Sequence, residues 1–144
     1  MSIVPVVLVA VQFGCIGWLL WFAEWGRLDW LALLLIIFGV MVGGWAIYVM
    51  RVSKFHITPE VDKNAILVAA GPYKFIRHPM YSAVLLVCLG FLIMNVNVVS
   101  GAVYMVLVAD LLLKLRYEEK LLLKHFTEYR DYMNKTKRLI PLVF

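Results

Sequence analysis

Charge is missing from three long stretches of this chain. Residues 3–23, 30–50 and 79–109 contain no Asp, Glu, Lys or Arg, and each is long enough to cross a hydrocarbon core, which takes about 20 helical residues. This excludes an ordinary soluble domain, whose composition is about half apolar; here 64% of the 144 residues are hydrophobic. Cysteine is scarce too. Cys15 and Cys88 both fall inside apolar runs, which argues against a disulfide framework or a zinc site and reads as two buried thiols. No basic residue precedes the first run, and only Trp21-Phe22-Ala23-Glu24-Trp25 follows it. It therefore reads as a retained span rather than a signal peptide. Internal repeats and low-complexity segments are absent. The net charge of +5 does not point to nucleic acid, because the bases flank the apolar runs, where they orient a membrane protein and meet anionic lipid.

The runs predict a helix over 3–22, with Pro5 tolerated in its first turn, and a second over 30–50. Trp18, Trp21 and Trp25 fit an interfacial aromatic belt. Gly39, Gly43 and Gly44 either permit close helix approach or are ordinary membrane glycines. The connection from Arg51 to His78 carries five bases against two acids, net +3. Thr58-Pro59 breaks any helix there, and Ala65 to Ala70 is a short apolar stretch, either extended or an interfacial helix.

The run from Pro79 to Ala109 is too long for one crossing, since 31 residues make a helix of about 46 Å against a core of about 30 Å. Asn95-Val96-Asn97 reads as a turn, which divides the run into a helix over 79–94 and another from about 98 into the charged region. Charge agrees with the split. From Asp110 onward there are eight Lys/Arg against five Asp/Glu, net +3, whereas the loop holding Glu24, Arg27 and Asp29 is −1. A hairpin puts both basic regions on one side, as the positive-inside rule asks. The expected fold is all-α: a polytopic membrane helix bundle of four transmembrane helices, with a C-terminal helical hairpin, an amphipathic C-terminal helix over about 127–137, and both termini cytoplasmic. Residues 1–57 would be the two N-terminal transmembrane helices and 58–144 the functional region.

Chemically capable side chains concentrate in Gly71-Pro72-Tyr73-Lys74-Phe75-Ile76-Arg77-His78-Pro79-Met80-Tyr81. Pro79 suits the first helical position, which makes His78 the cap, and a helix N-terminus suits an anionic group. The acid pair Glu118-Glu119 reads either as a solvated face partnered by Lys114 and Lys120 or as the opposite wall of a ligand pocket, because a hairpin brings the start of one helix beside the end of the other. Asp110, Lys114 and Glu118 follow i, i+4, i+8 spacing and can pair.

Gly71-Pro72-Tyr73, Arg77-His78-Pro79-x-Tyr81 and Glu118-Glu119, followed by Phe126, Tyr129, Tyr132, Arg138 and Pro141, resemble the isoprenylcysteine carboxyl methyltransferase family, a membrane family that also includes phospholipid methyltransferases. The resemblance covers roughly residues 58–144. It implies S-adenosyl-L-methionine as methyl donor, bound at Ala65, Ile66, Leu67, Val68, Tyr73, His78, Pro79, Met80, Tyr81 and Glu118, and a lipophilic or lipid acceptor reached from the bilayer. It implies no metal. Eukaryotic members carry an arginine four residues before the first glutamate. Here that residue is Lys114, with Arg116 nearby, which keeps the charge for a substrate but not the bidentate geometry. An amine acceptor would have to lose a proton, and His78, Tyr81 or Glu119 can assist. Two rival readings stay open: a sterol reductase-like NADPH enzyme, from the Arg-His-Pro-x-Tyr segment, and a non-catalytic lipid-binding membrane protein.

Overall fold

The computed structural model describes residues 3–26, 29–52 and 67–144. Among these residues the chain forms five α-helices and no strand: α1 Ile3–Trp21, α2 Trp30–Val52, α3 Pro79–Met94, α4 Val98–His125 and α5 Tyr129–Lys135, with a 3-10 turn at Gly71–Lys74. The all-helical class is as expected. The Thr58-Pro59 break and the start of the Ala65–Ala70 stretch lie outside the described residues. Two helices, over Trp30–Arg51 and Val98–His125, are long and apolar enough to cross a membrane, while α1 and α3 are apolar but shorter.

Local chemistry sets the helix ends. Asp29 Oδ1 accepts from the N–H groups of Leu31 at 2.8 Å and Ala32 at 3.3 Å, which satisfies orphan donors at the start of α2. Asn97 caps α4 in the same way, accepting from the Ser100 N–H at 2.9 Å. Asn95 donates to the Phe22 carbonyl at 2.7 Å, so the α3–α4 link sits at the end of α1. Pro79 opens α3 and His78 holds the cap position, but the His78 side chain makes no capping bond.

α2 packs along α3, and α1 along α4. The α2–α3 seam is set by small residues. A Cβ on Gly39 would meet Val87 Cγ2 at 2.7 Å and the Ala83 carbonyl at 2.9 Å, and one on Gly90 would meet the Ala32 carbonyl at 2.8 Å. Gly39 and Gly43 thus permit close approach, as one of the two readings held, whereas Gly44 faces open space. The core runs through Leu19, Ala32, Cys88, Phe91, Leu107 and Leu111. Phe13, Trp30, Leu34 and Met41 point outward and are well exposed, a face suited to hydrocarbon rather than water.

Two features shape the end of the bundle opposite Asn95. Gly71 has φ +56° and lies against Val49 and Trp45 of α2, a left-handed position that a side chain would strain. Downstream, residues 75–78 pair in parallel with 137–138. Arg77 N donates to the Lys137 carbonyl at 2.8 Å, His78 N to the Arg138 carbonyl at 3.1 Å, and Lys137 N to the Phe75 carbonyl at 3.1 Å. The Ser82 hydroxyl adds a bond to the Leu139 carbonyl at 2.6 Å. The C-terminal segment is therefore strapped onto the start of α3.

Candidate functional site

The histidine-proline corner and the acid pair meet. Tyr81, in the first turn of α3, donates its phenol to Glu118 Oε1 at 2.5 Å. The His78 ring stacks on the Tyr81 ring, with centroids 5.4 Å apart and planes 2° from parallel. His78 Nδ1 lies 3.8 Å from Glu118 Oε2. Its Nε2 lies 3.6 Å from Glu119 Oε1, which is ion-pair range but beyond a hydrogen bond, and it is buried without a hydrogen-bond partner.

The two glutamates are differently placed because adjacent helical residues point about 100° apart. Glu118 is 39% exposed at its side chain and faces Tyr81 and His78. Glu119 is buried. Arg77 Nε donates to its Oε1 at 2.8 Å and Arg138 Nε to its Oε2 at 3.2 Å. The rest of the Arg77 fork goes to the main chain, donating to the Met133 carbonyl at 3.0 Å and to the Thr136 carbonyl. Arg77 is consumed by the fold and is not a free cation for a ligand.

Tyrosines close the cluster. Tyr132 donates to the Tyr73 carbonyl at 2.6 Å. The hydroxyls of Tyr73 and Tyr129 are buried without a partner. Burial, aided by the Glu118 charge, pushes the Tyr73 phenol up to about 12. Burial likewise pushes Tyr132 up to about 12, against the opposing pull of Arg77. Both are neutral phenols that can donate at physiological pH.

The remaining expected residues divide. Pro79 is buried and Met80 half-buried at the start of α3, and Leu67 and Val68 are half-buried ahead of the Gly71 turn. Ala65 and Ile66 lie outside the described residues. Lys114 reaches the cluster, with Nζ 5.3 Å from the centre of the Tyr81 ring. Arg116 is exposed and, two residues on, points to the other side of α4. One expected pairing is corrected. Lys114 donates to Gln12 Oε1 at 3.0 Å rather than to Asp110 or Glu118. Of the two readings of the acid pair, the lysine-partnered solvated face is the one that does not hold: its partners are Tyr81, His78, Arg77 and Arg138. Sequence reasoning gave no role to Gln12, although it is the one amide in the first uncharged run.

Among the described residues, an all-helical fold with an apolar outer face thus carries a histidine, two glutamates and four tyrosines gathered at one end of its bundle. A family model for phospholipid methyltransferases matches residues 28–129, well over half of the chain, and the chain belongs to that family of membrane proteins. It is similar to the protein-S-isoprenylcysteine O-methyltransferases of Rattus norvegicus, 29% identical over 126 residues, and Mus musculus, 28% identical over 126 residues. Each alignment covers 83% of this chain and 44% of the relative. The chain therefore spans less than half the length of these relatives.

Proposed function

We propose that the chain is an integral membrane methyltransferase that uses S-adenosyl-L-methionine to methylate a lipophilic or lipid acceptor at the cytoplasmic membrane face. The observation that carries this reading is the contact between Tyr81, His78 and Glu118, which joins two motifs 37 residues apart.

The cluster fits such a methyl donor. Tyr73 and His78 each present a buried polar atom with nothing to bond, beside a partly exposed carboxylate. Glu118 suits an ammonium or ribose hydroxyls, His78 and the start of α3 suit a carboxylate, and the Tyr81 ring suits a sulfonium through cation–π attraction. The bound methyl donor would supply an electrophilic methyl group. This chain's own task would be alignment and exclusion of water. Glu119 does not act as a base in this reading. Flanked by two guanidinium groups, its carboxylate is a poor proton acceptor, so it serves as the pin that holds Arg77 and Arg138. Tyr81 and His78 remain the groups that can touch an acceptor's proton, and Lys114 sits over the Tyr81 ring where an acceptor would enter.

In the membrane we assign four crossing helices, with α3 and α4 as a hairpin and both termini cytoplasmic. Two observations support this. The Asn95–Phe22 bond joins the acidic loop and the α3–α4 link at one end. Arg77, Lys137 and Arg138 gather at the other, the end the positive-inside rule puts in the cytoplasm.

The test is transfer of a labelled methyl group from S-adenosyl-L-methionine into a total lipid extract, with identification of the labelled product. Calorimetry on the detergent-solubilised chain should show S-adenosyl-L-methionine binding. Binding of NADPH instead would turn the reading toward a reductase, and binding of neither would end it.

A further inference from the structure

The segment that follows the strap presents apolar side chains that the proposed methyl-donor site does not use. Residues 139–144 read Leu-Ile-Pro-Leu-Val-Phe and close into a tight loop. The Leu139 and Ile140 N–H groups both donate to the Phe144 main-chain oxygen, at 2.7 and 2.8 Å, and the Val143 and Phe144 N–H groups donate to the Ile140 carbonyl at 3.2 and 3.1 Å. Pro141 has no N–H to satisfy. These bonds meet most of the cost of bringing the loop's backbone N–H groups close to lipid. Its side chains point away from the fold: Ile140 and Val143 are exposed, and Leu142 is 92% exposed. Among the described residues Leu142 is also the one non-glycine at positive φ, +68°, a left-handed conformation that costs a leucine free energy. In water that strain would only display an apolar side chain to solvent.

The depth of the loop follows from its neighbours. Ser82, in the first turn of α3, donates to the Leu139 carbonyl at 2.6 Å, so the loop lies level with the start of that helix. α3 has 16 residues and is about 24 Å long, shorter than a hydrocarbon core of about 30 Å. Its start, and the loop beside it, therefore fall at the boundary between headgroups and acyl chains. Exposed bases stand close by. Lys135 and Lys137 precede the loop, and the Lys137 N–H pairs with the Phe75 carbonyl, next to Lys74. We propose that residues 139–144 are a lipid anchor: Ile140, Leu142 and Val143 enter the leaflet on the side of the site, and Lys74, Lys135 and Lys137 meet its anionic phosphates. Apolar insertion flanked by bases is the pair of signals that holds an element on an anionic surface. The anchor is joined to the site. The Arg138 guanidinium lies 5.4 Å from the centre of the Phe144 ring, and its Nε donates to Glu119 at 3.2 Å, so lipid contact holds the strap against the buried ion pair. This inference rests on the membrane-crossing assignment above and not on the methyl-donor reading.

The test uses the full chain in nanodiscs of phosphatidylcholine, with and without phosphatidylglycerol. A polarity-sensitive fluorophore is attached in Leu142→Cys, at a position exposed enough to accept it. Met41→Cys, on the outward face of α2, and Lys124→Cys, near the end of α4, serve as the lipid and water references. Wild type taken through the same labelling gives the background of Cys15 and Cys88. The probe at position 142 should emit to the blue of the probe at 124, and lipid carrying a nitroxide near its acyl carbonyl should quench it several-fold more. Phosphatidylglycerol should increase that quenching, and Lys74→Gln with Lys137→Gln should abolish the increase. Emission at 142 that matches 124 overturns the anchor, as does quenching indifferent to phosphatidylglycerol. A blue-shifted probe that no lipid nitroxide quenches would mean that protein, a second copy included, covers the loop, and overturns it equally. Failure of the membrane-crossing assignment has its own signature, no quenching at position 41 by lipid labelled in mid-chain. S-adenosyl-L-methionine is absent from the test, so its outcome is independent of the methyl-donor reading.

Discussion

Arg77 and Glu119 meet at 2.8 Å with both side chains more than nine-tenths buried, although 42 residues separate them in the chain. The pair fastens α4 to the corner that precedes α3, and the remaining fork of Arg77 fastens the C-terminal segment to both. Breaking a buried pair leaves an uncompensated charge. Glu119→Gln should therefore destabilise the chain by about 3 kcal/mol, read as a lower unfolding midpoint in detergent. Arg77→Lys keeps the charge but loses the fork, so its midpoint should fall between those of the wild type and Arg77→Ala. An unchanged midpoint in Glu119→Gln would reduce the pair to a surface contact.

The neighbouring residue should behave oppositely. Glu118 is partly exposed and bonded to Tyr81, so Glu118→Gln should leave the midpoint nearly unchanged and weaken S-adenosyl-L-methionine binding about tenfold, the loss of one charge-assisted bond. His78→Ala should also weaken it. Calorimetry reads both, and wild-type affinity in Glu118→Gln removes that carboxylate from the methyl-donor site.

The contrast between these glutamates shows what sequence carries and what it does not. Uncharged runs locate helices directly, because hydrocarbon tolerates few charges, and Asn95-Val96-Asn97 marked where α3 and α4 divide. The encounter of His78 and Tyr81 with the acid pair followed from that division. The rotation of α4 about its own axis was not legible. It decides that Glu119 turns inward to two arginines while Glu118 faces Tyr81, and it depends on packing across the whole bundle. Nor was the strap of residues 137–139 on the start of α3 legible, since a parallel main-chain pairing leaves little pattern in side chains. Lys114 invited pairing with its helical neighbours, but its partner Gln12 lies 102 residues away on α1.

The seam between α2 and α3 gives a paired test. Gly39→Ala puts a methyl group within 2.9 Å of the Ala83 carbonyl and 2.7 Å of Val87. Overpacking of this kind costs about 1–3 kcal/mol. Gly44→Ala meets open space and gains helix propensity, so its midpoint should hold or rise slightly. Equal midpoints for the two variants would mean that the helices sit farther apart at Gly39.

Alkaline pH should loosen the tyrosine side of the site. Tyr73 and Tyr132 are pushed from the ordinary 10 up to about 12, by burial first. Below pH 10 both phenols are neutral whether the chain is folded or not, and their contribution is intact. Between about pH 10 and 12 the unfolded chain ionises while the fold holds the phenols protonated, so stability falls, by about 1.4 kcal/mol per pH unit for each tyrosine. Tyr132→Phe starts lower, because it loses the bond to the Tyr73 carbonyl, but declines less steeply across that window. An identical slope in the variant would show that Tyr132 ionises in the fold as easily as in water.

Orientation in the membrane can be tested at the two ends of the bundle. Asn95 sits on the link beside Phe22, at the end with the acidic loop, while Lys74 is exposed at the end of the 3-10 turn near the site. Both native cysteines are buried or half-buried within helices and should react slowly with a charged, membrane-impermeant maleimide. A cysteine introduced at Asn95 should then label from outside intact cells, and one at Lys74 only after permeabilisation. The reverse pattern would place the His78–Glu118 cluster on the outer face, away from the cytoplasmic S-adenosyl-L-methionine the proposed reaction needs. Labelling of both from outside would remove the α3–α4 hairpin as a membrane-crossing unit.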